Sequence, residues 1–221
     1  MYVLAALEID KMRKKMLGGG MEAGYSNTLD SLLSIDKAVG TDKTLDIGWR
    51  GAEAFHFYLL AQRQLYEGNV EAALVTSTRL RGYDDILNTE QIESLVAICA
   101  FYSQAFGQAS KAFIKLESLK SEQKAAYEDL AMTIFVRHPP QDPAGSDAWL
   151  GTSDPNAATC IITGRPISEA DRSNVAKCSM CGHVALSEFW RSVRNCPLCH
   201  TVIPSSHVAP QREVKFAANY D

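Results

Sequence analysis

Proline is missing from the first 138 residues of this chain and then arrives in a cluster at Pro139, Pro140 and Pro143. Proline breaks helix interiors, so its absence leaves the N-terminal stretch free to be helical throughout. Long apolar runs are missing too. The longest nearly apolar stretch, Leu95–Tyr102, has eight residues, whereas a membrane-spanning helix needs about 20. The N-terminus reads Met-Tyr-Val-Leu-Ala-Ala-Leu-Glu. It lacks a basic leader, an apolar stretch and a cleavage site, so no signal peptide is expected. There is no excess of one charge: the formal net charge is −4 over 221 residues. Neither nucleic acid nor direct membrane insertion is expected of such a chain. Glycine-rich phosphate loops, His-Glu-x-x-His motifs and nucleophile elbows are all absent. Asp84 and Asp85 are adjacent and share no helical face, and Glu53 and His56 read as a helix-surface pair. The chain is expected not to be an enzyme.

The residues present are those of a folded protein, with 46% apolar and 22% charged side chains. Residues 2–16 read as a helix ended by Gly18, Gly19 and Gly20. Starting abruptly in a helix suggests a piece of a longer chain. Two later stretches resemble each other, Ala54–Leu80 and Leu95–Leu119. Each sets small residues along one helix, a tight turn at Gly68-Asn69 or Gly107-Gln108, and a return helix. Small residues let antiparallel helices approach closely, and glycine permits the stop between them. The unit has the length of a tetratricopeptide-like helix pair. A last helix is expected over Ser121–Val136. The expected organisation is mainly α: a helical-repeat domain over 1–138, a linker over 139–158 in which Trp149-Leu150 packs back on a neighbour, a small β-rich zinc-ribbon or degenerate RING-like module over 159–204, and a mobile tail over 205–221.

Four of the six cysteines stand in two pairs, Cys178-Ser-Met-Cys181-Gly-His and Cys196-Pro-Leu-Cys199-His. A Cys-x-x-Cys turn can aim both sulfurs at one ion, and two such turns make a closed tetrahedral site of structural type. Soft thiolates select zinc or iron, and without a redox partner motif zinc is favoured. The expected ligands of one structural zinc ion are therefore Cys178, Cys181, Cys196 and Cys199, with room for a strand, a turn and a strand between the pairs. Cys196-x-x-Cys199-His200 also matches haem-attachment and redox patterns, but the second pair accounts for all four thiols at once. His183 and His200 lie outside the spacing and read as surface or supporting residues. Cys160-Ile-Ile-Thr163-Gly164-Arg has the outline of a third turn with threonine in place of the second cysteine. Cys160 reads as a buried thiol supporting a turn, and Cys99 as a core thiol. A RING cross-brace would need eight ligands, and these residues offer seven. Around the cysteines, five basic residues stand against three acidic ones, too thin a footprint for nucleic acid.

The order of motifs carries a resemblance. Ala112-Phe-Ile-Lys-Leu-Glu, Tyr127-Glu-Asp-Leu-Ala and Ile134-Phe-Val-Arg-His-Pro precede Cys160-Ile-Ile-Thr-Gly-Arg-Pro-Ile and the two cysteine pairs. Over roughly residues 50 to 203 this resembles the C-terminal end of the WD-repeat subunits of intraflagellar transport complex A. The resemblance implies N-terminal propellers, absent here, then tetratricopeptide-like repeats and a zinc module whose ligands map to the four cysteines above. It implies a non-catalytic scaffold in retrograde ciliary transport and ciliary entry of membrane proteins. Implied partners are other complex A subunits, including the small disordered subunit and a related WD-repeat subunit. The implied location is the cilium or flagellum, the basal body and the cytoplasm. The rival expectation is a zinc-module adaptor or ubiquitin-ligase component of a vesicle-tethering complex.

Overall fold

The computed structural model describes residues 1–8, 11, 47–144 and 158–203. The rest of the expected 2–16 helix, the Gly18–Gly20 break, Trp149-Leu150 and the tail over 205–221 lie outside the described residues. The chain divides into two compact units, Met1–Ala157 and Ala158–Asp221.

The first unit is helical. Residues 2–8 form a short helix, followed by α1 (Ile47–Tyr66), α2 (Val70–Arg79), a 3-10 turn (Leu80–Tyr83), α3 (Thr89–Tyr102), α4 (Phe106–Ser118) and α5 (Lys124–Phe135). On α1 the buried residues Ala54, Phe57, Leu60, Ala61 and Gln64 recur at three- and four-residue steps, the spacing of one helix face. They meet Ala73 and Leu74 of α2. Gln64 is buried without penalty because its Oε1 accepts from Thr76 Oγ1 at 2.8 Å. Helix α3 is the most buried: Ile92, Glu93, Leu95, Val96, Ala97, Cys99 and Ala100 are all shielded. It begins at Asn88, whose side chain accepts from the Glu90 amide. Burial raises the Cys99 thiol to about 11, against a weaker opposing hydrogen bond from Ser77, so it stays an uncharged core thiol. Ala109, Ala112, Phe113 and Leu116 of α4 close the core.

The turn within the first helical pair falls where expected. Gly68 sits at φ +81°, and Asn69 N–H donates to Gln64 O at 2.8 Å. The second turn does not fall at Gly107-Gln108. Gln104 takes the left-handed conformation (φ +59°), and Ala105 N–H donates to Ala100 O at 2.9 Å. Gly107 lies inside α4. Its missing side chain serves close approach instead, since a Cβ there would meet the Asp142 carboxylate at 2.8 Å. Residues 139–142, linker by composition, are held against the start of α4: Asp142 accepts from the Gln108 amide at 3.0 Å and side chain at 3.2 Å, and Gln141 O accepts from Gly107 N–H at 3.3 Å.

The second unit holds a 3-10 turn (Glu169–Asn174), strands β1 (Val175–Lys177) and β2 (Val184–Leu186), and a one-turn helix α6 (Ser187–Trp190). β1 and β2 are antiparallel, with Ala176 opposite Ala185. The expected strand–turn–strand between the cysteine pairs is instead β2 followed by α6. That helical turn carries Trp190 inward to 5% exposure, which supplies apolar area a longer ladder would not. Ile161, Ala185, Leu198 and Ile203 are buried in the same module.

Candidate metal centre

Three hairpins of one design build this module. In each, a leading cysteine donates its N–H to the carbonyl five residues on, and its own carbonyl accepts from the amide four residues on. The pairs are Cys160 with Arg165 and Gly164 (2.9 and 2.8 Å), Cys178 with His183 and Gly182 (2.9 and 3.0 Å), and Cys196 with Thr201 and His200 (2.9 and 2.8 Å). Each hairpin is bracketed by an antiparallel pair: Thr159 with Pro166, Lys177 with Val184, Asn195 with Val202. The fifth residue of each turn needs the left-handed conformation, with φ +72° at Gly164, +74° at Gly182 and +60° at His200. Glycine takes it freely, while the histidine takes it at a cost.

The second and third hairpins bring Cys178, Cys181, Cys196 and Cys199 together, with all four sulfurs within 4.8 Å of one another. Cys178 Sγ lies 3.6 Å from Cys199 Sγ, and Cys181 Sγ lies 3.8 Å from Cys196 Sγ. A tetrahedron with metal–sulfur bonds of about 2.3 Å has edges of about 3.8 Å, so the donor set fits a four-thiolate ion. Cys178, Cys196 and Cys199 are buried, and Cys181 is partly so. The Cys196 thiol is lowered to about 5. The first cause is the hydrogen bond from Cys181, opposed by burial and aided by the Cys199 and Leu198 amides. Cys181 is raised because its proton is shared with Cys196 and because it is buried. Amides aimed at sulfur in this way are what a metal-bound thiolate needs from its surroundings.

The other expected residues are placed clearly. His183 is half-buried, with Nδ1 3.1 Å from Cys181 O, and His200 is exposed. Neither belongs to the sulfur cluster. Cys160 is fully buried and sits apart from the four. Asp84 and Asp85 are exposed, and Asp85 receives Arg50 at 2.6 Å. One polar centre escaped the sequence reading. Glu93, 1% exposed, accepts from Arg81 through both oxygens (2.9 and 2.7 Å) and from Lys115 at 3.0 Å. The available signal was an acidic residue set on the apolar face of α3.

Comparison with known proteins bears on both units. Residues 46–142 match the family model described as IFT121-like, TPR repeats, and residues 158–204 match that of the IFT121 second zinc finger domain. The two models together cover more than half of the chain. Both units match models of one family, IFT121. WD repeat-containing protein 35 of Rattus norvegicus and of Mus musculus are each 42% identical to it over 214 residues, and so is that of Homo sapiens. The match takes in 92% of this chain and 18% of each relative. The chain therefore spans less than a fifth of the length of these relatives. The match places tetratricopeptide repeats on the helical unit and a zinc finger on the cysteine module, the fold class expected from sequence. Among the described residues, no helix is long and apolar enough to cross a membrane.

Proposed function

We propose that this chain acts as the C-terminal part of an intraflagellar transport complex A subunit, a non-catalytic scaffold for protein–protein assembly. The observation that carries this reading is the pairing of two IFT121-type domains on one chain, with 42% identity to WD repeat-containing protein 35. The reading extends to retrograde transport and ciliary entry of membrane proteins, in the cilium, basal body and cytoplasm. Its partners are other complex A subunits, among them the small disordered subunit and a related WD-repeat subunit. The helical unit supplies binding surface. Large apolar side chains stay in solvent on α1 and α3, including Leu59, Ile98 and Tyr102, and stacked helix pairs bind through such faces.

The cysteine module holds one structural zinc ion through Cys178, Cys181, Cys196 and Cys199. When bound, the ion supplies a closed four-thiolate tie between the second and third hairpins. The residues supply its shape: two positive-φ turns open the hairpins toward one point, and backbone amides face the sulfurs. The test has two arms. Elemental analysis of the purified chain should find one zinc, with four thiols released on chelation. The zinc-loaded chain should then capture complex A subunits from ciliated-cell extract. A folded, zinc-loaded chain that captures none of them sinks the assembly reading.

A further inference from the structure

The first hairpin, Thr159–Pro166, repeats the fold of the two metal-binding hairpins but sends no thiol to the cluster. The leading cysteines of the three, Cys160, Cys178 and Cys196, are evenly spaced eighteen residues apart. The two backbone hydrogen bonds, the bracketing pair and the positive φ are the same in all three. The difference lies at the fourth position of the turn. Where the others carry Cys181 and Cys199, the first carries Thr163, whose Oγ1 accepts from the Arg165 amide at 3.4 Å. The hydroxyl thus takes an amide that a sulfur would otherwise hold. Cys160 and Ile161 are fully buried, so this hairpin is anchored by packing rather than by an ion.

The first hairpin is joined to the second by backbone. Ile161 N–H donates to Val184 O at 3.0 Å. Val184 pairs with Lys177 across the mouth of the second hairpin, one residue from Cys178. We infer that Thr159–Pro166 is a metal-free copy of the zinc-binding hairpin that holds the Cys178/Cys181 half-site in ligand geometry, with Thr163 as its positioning residue. The inference rests on the zinc reading above. A ligand pair ordered before the ion arrives loses less conformational freedom on binding, so the copy raises affinity without touching the metal.

The test is metal competition against a chromophoric chelator, using the full chain, with cobalt absorption as a second readout. Thr163→Val keeps the shape and removes the acceptor. It should weaken zinc binding about tenfold, the lower end of what supporting residues around a metal contribute, while the four-thiolate cobalt spectrum persists. Thr163→Ser should restore binding to within about twofold, and Thr163→Cys should bind as tightly with no second ion. Unchanged affinity in Thr163→Val overturns the inference, as does failure of Thr163→Ser to rescue. Should Thr163→Val fail to fold, amide exchange on the unmodified chain decides. On chelation, the Cys160 and Gly164 amides should stay more protected than those of Cys178 and Cys196, and equal loss overturns the inference. A wild-type chain that takes up no metal sinks the zinc reading itself, whereas wild-type uptake with an indifferent Thr163→Val sinks only the positioning role.

Discussion

In the helical unit, α3 alone shields seven side chains, and its neighbours add Phe57, Leu74, Phe113 and Leu116. The core runs through five helices, and the contribution of each contact is modest. Among its described residues the cysteine module has two three-residue strands, a 3-10 turn and a one-turn helix. Its organising contact is a cluster of four sulfurs, all within 4.8 Å of one another. A module this small buries too little to fold on apolar area alone. One unit is therefore a sum of many replaceable parts, and the other hinges on a single centre. The same kind of substitution should have graded consequences in the first and near all-or-none consequences in the second.

The sharpest separation should come from Cys196→Ser or from chelation. Structural zinc contributes about 10–16 kcal/mol in small zinc-dependent peptides, more than the module could replace. Order around both cysteine pairs should be lost while helical far-UV signal and the protease-resistant helical fragment remain. Simultaneous loss of both would show one cooperative unit in place of two. The next effect is Phe57→Ala, which empties a fully buried site in α1 and should cost about 3–5 kcal/mol. Urea unfolding of the helical signal should register it with metal content unchanged.

Glu93→Ala should cost less, about 2 kcal/mol by urea unfolding, below the range for breaking a fully buried pair. The reason is that Arg81 and Lys115 keep 22% and 54% of their side-chain surface in water and can rehydrate when the carboxylate is gone. A loss above about 4 kcal/mol would mean the two cations remain trapped. The smallest effect belongs to His200→Gly. The left-handed turn costs a non-glycine residue about 1–2 kcal/mol, and glycine gives back about 0.5–1 kcal/mol through unfolded-chain freedom. The module should be stabilised by about 0–1.5 kcal/mol in its melting, with zinc retained. Loss of the ion would instead make His200 a ligand.

Much of this comparison is legible in the amino-acid string, because period and spacing are local properties. Helix faces such as Ala54, Phe57 and Ala61 announce themselves at steps of three and four, and Cys-x-x-Cys fixes two sulfurs within one turn. The partial repeat at Cys160–Arg165 is visible as an outline, though its hydrogen bonds are not. What escapes is what depends on distant partners. Glu93 is buried because Arg81 and Lys115 arrive from elsewhere in the chain, and no window around Glu93 contains either. Gly107 reads as a helix stop because glycine and a stop usually coincide. Its real neighbour, Asp142, is 35 positions away, and the stop falls to Gln104, a residue with no local signature for positive φ. The first strand expected after Cys181 is present as β2, but in place of the second stands the helical turn that carries Trp190 into the module's interior.

The contact between Asp142 and Gln108 turns a stretch of chain into a closed ring. Residues 108–142 hold nearly all of α4 and the whole of α5, and their two ends are tied by two hydrogen bonds. Helix α5 buries only Ala131 outright, with Tyr127, Ile134 and Phe135 half-buried against the core, so as the last described helix of its array it is more open to fraying than α3. In a ring, fraying at the end of α5 must either break the tie or bend the whole loop. The stacking of His138 on Phe106, at 4.6 Å between ring centres, adds a second rivet beside the first. The described array thus closes in a fastened loop rather than a loose helix, and the tie lies at Asp142, beyond Pro139 and Pro140.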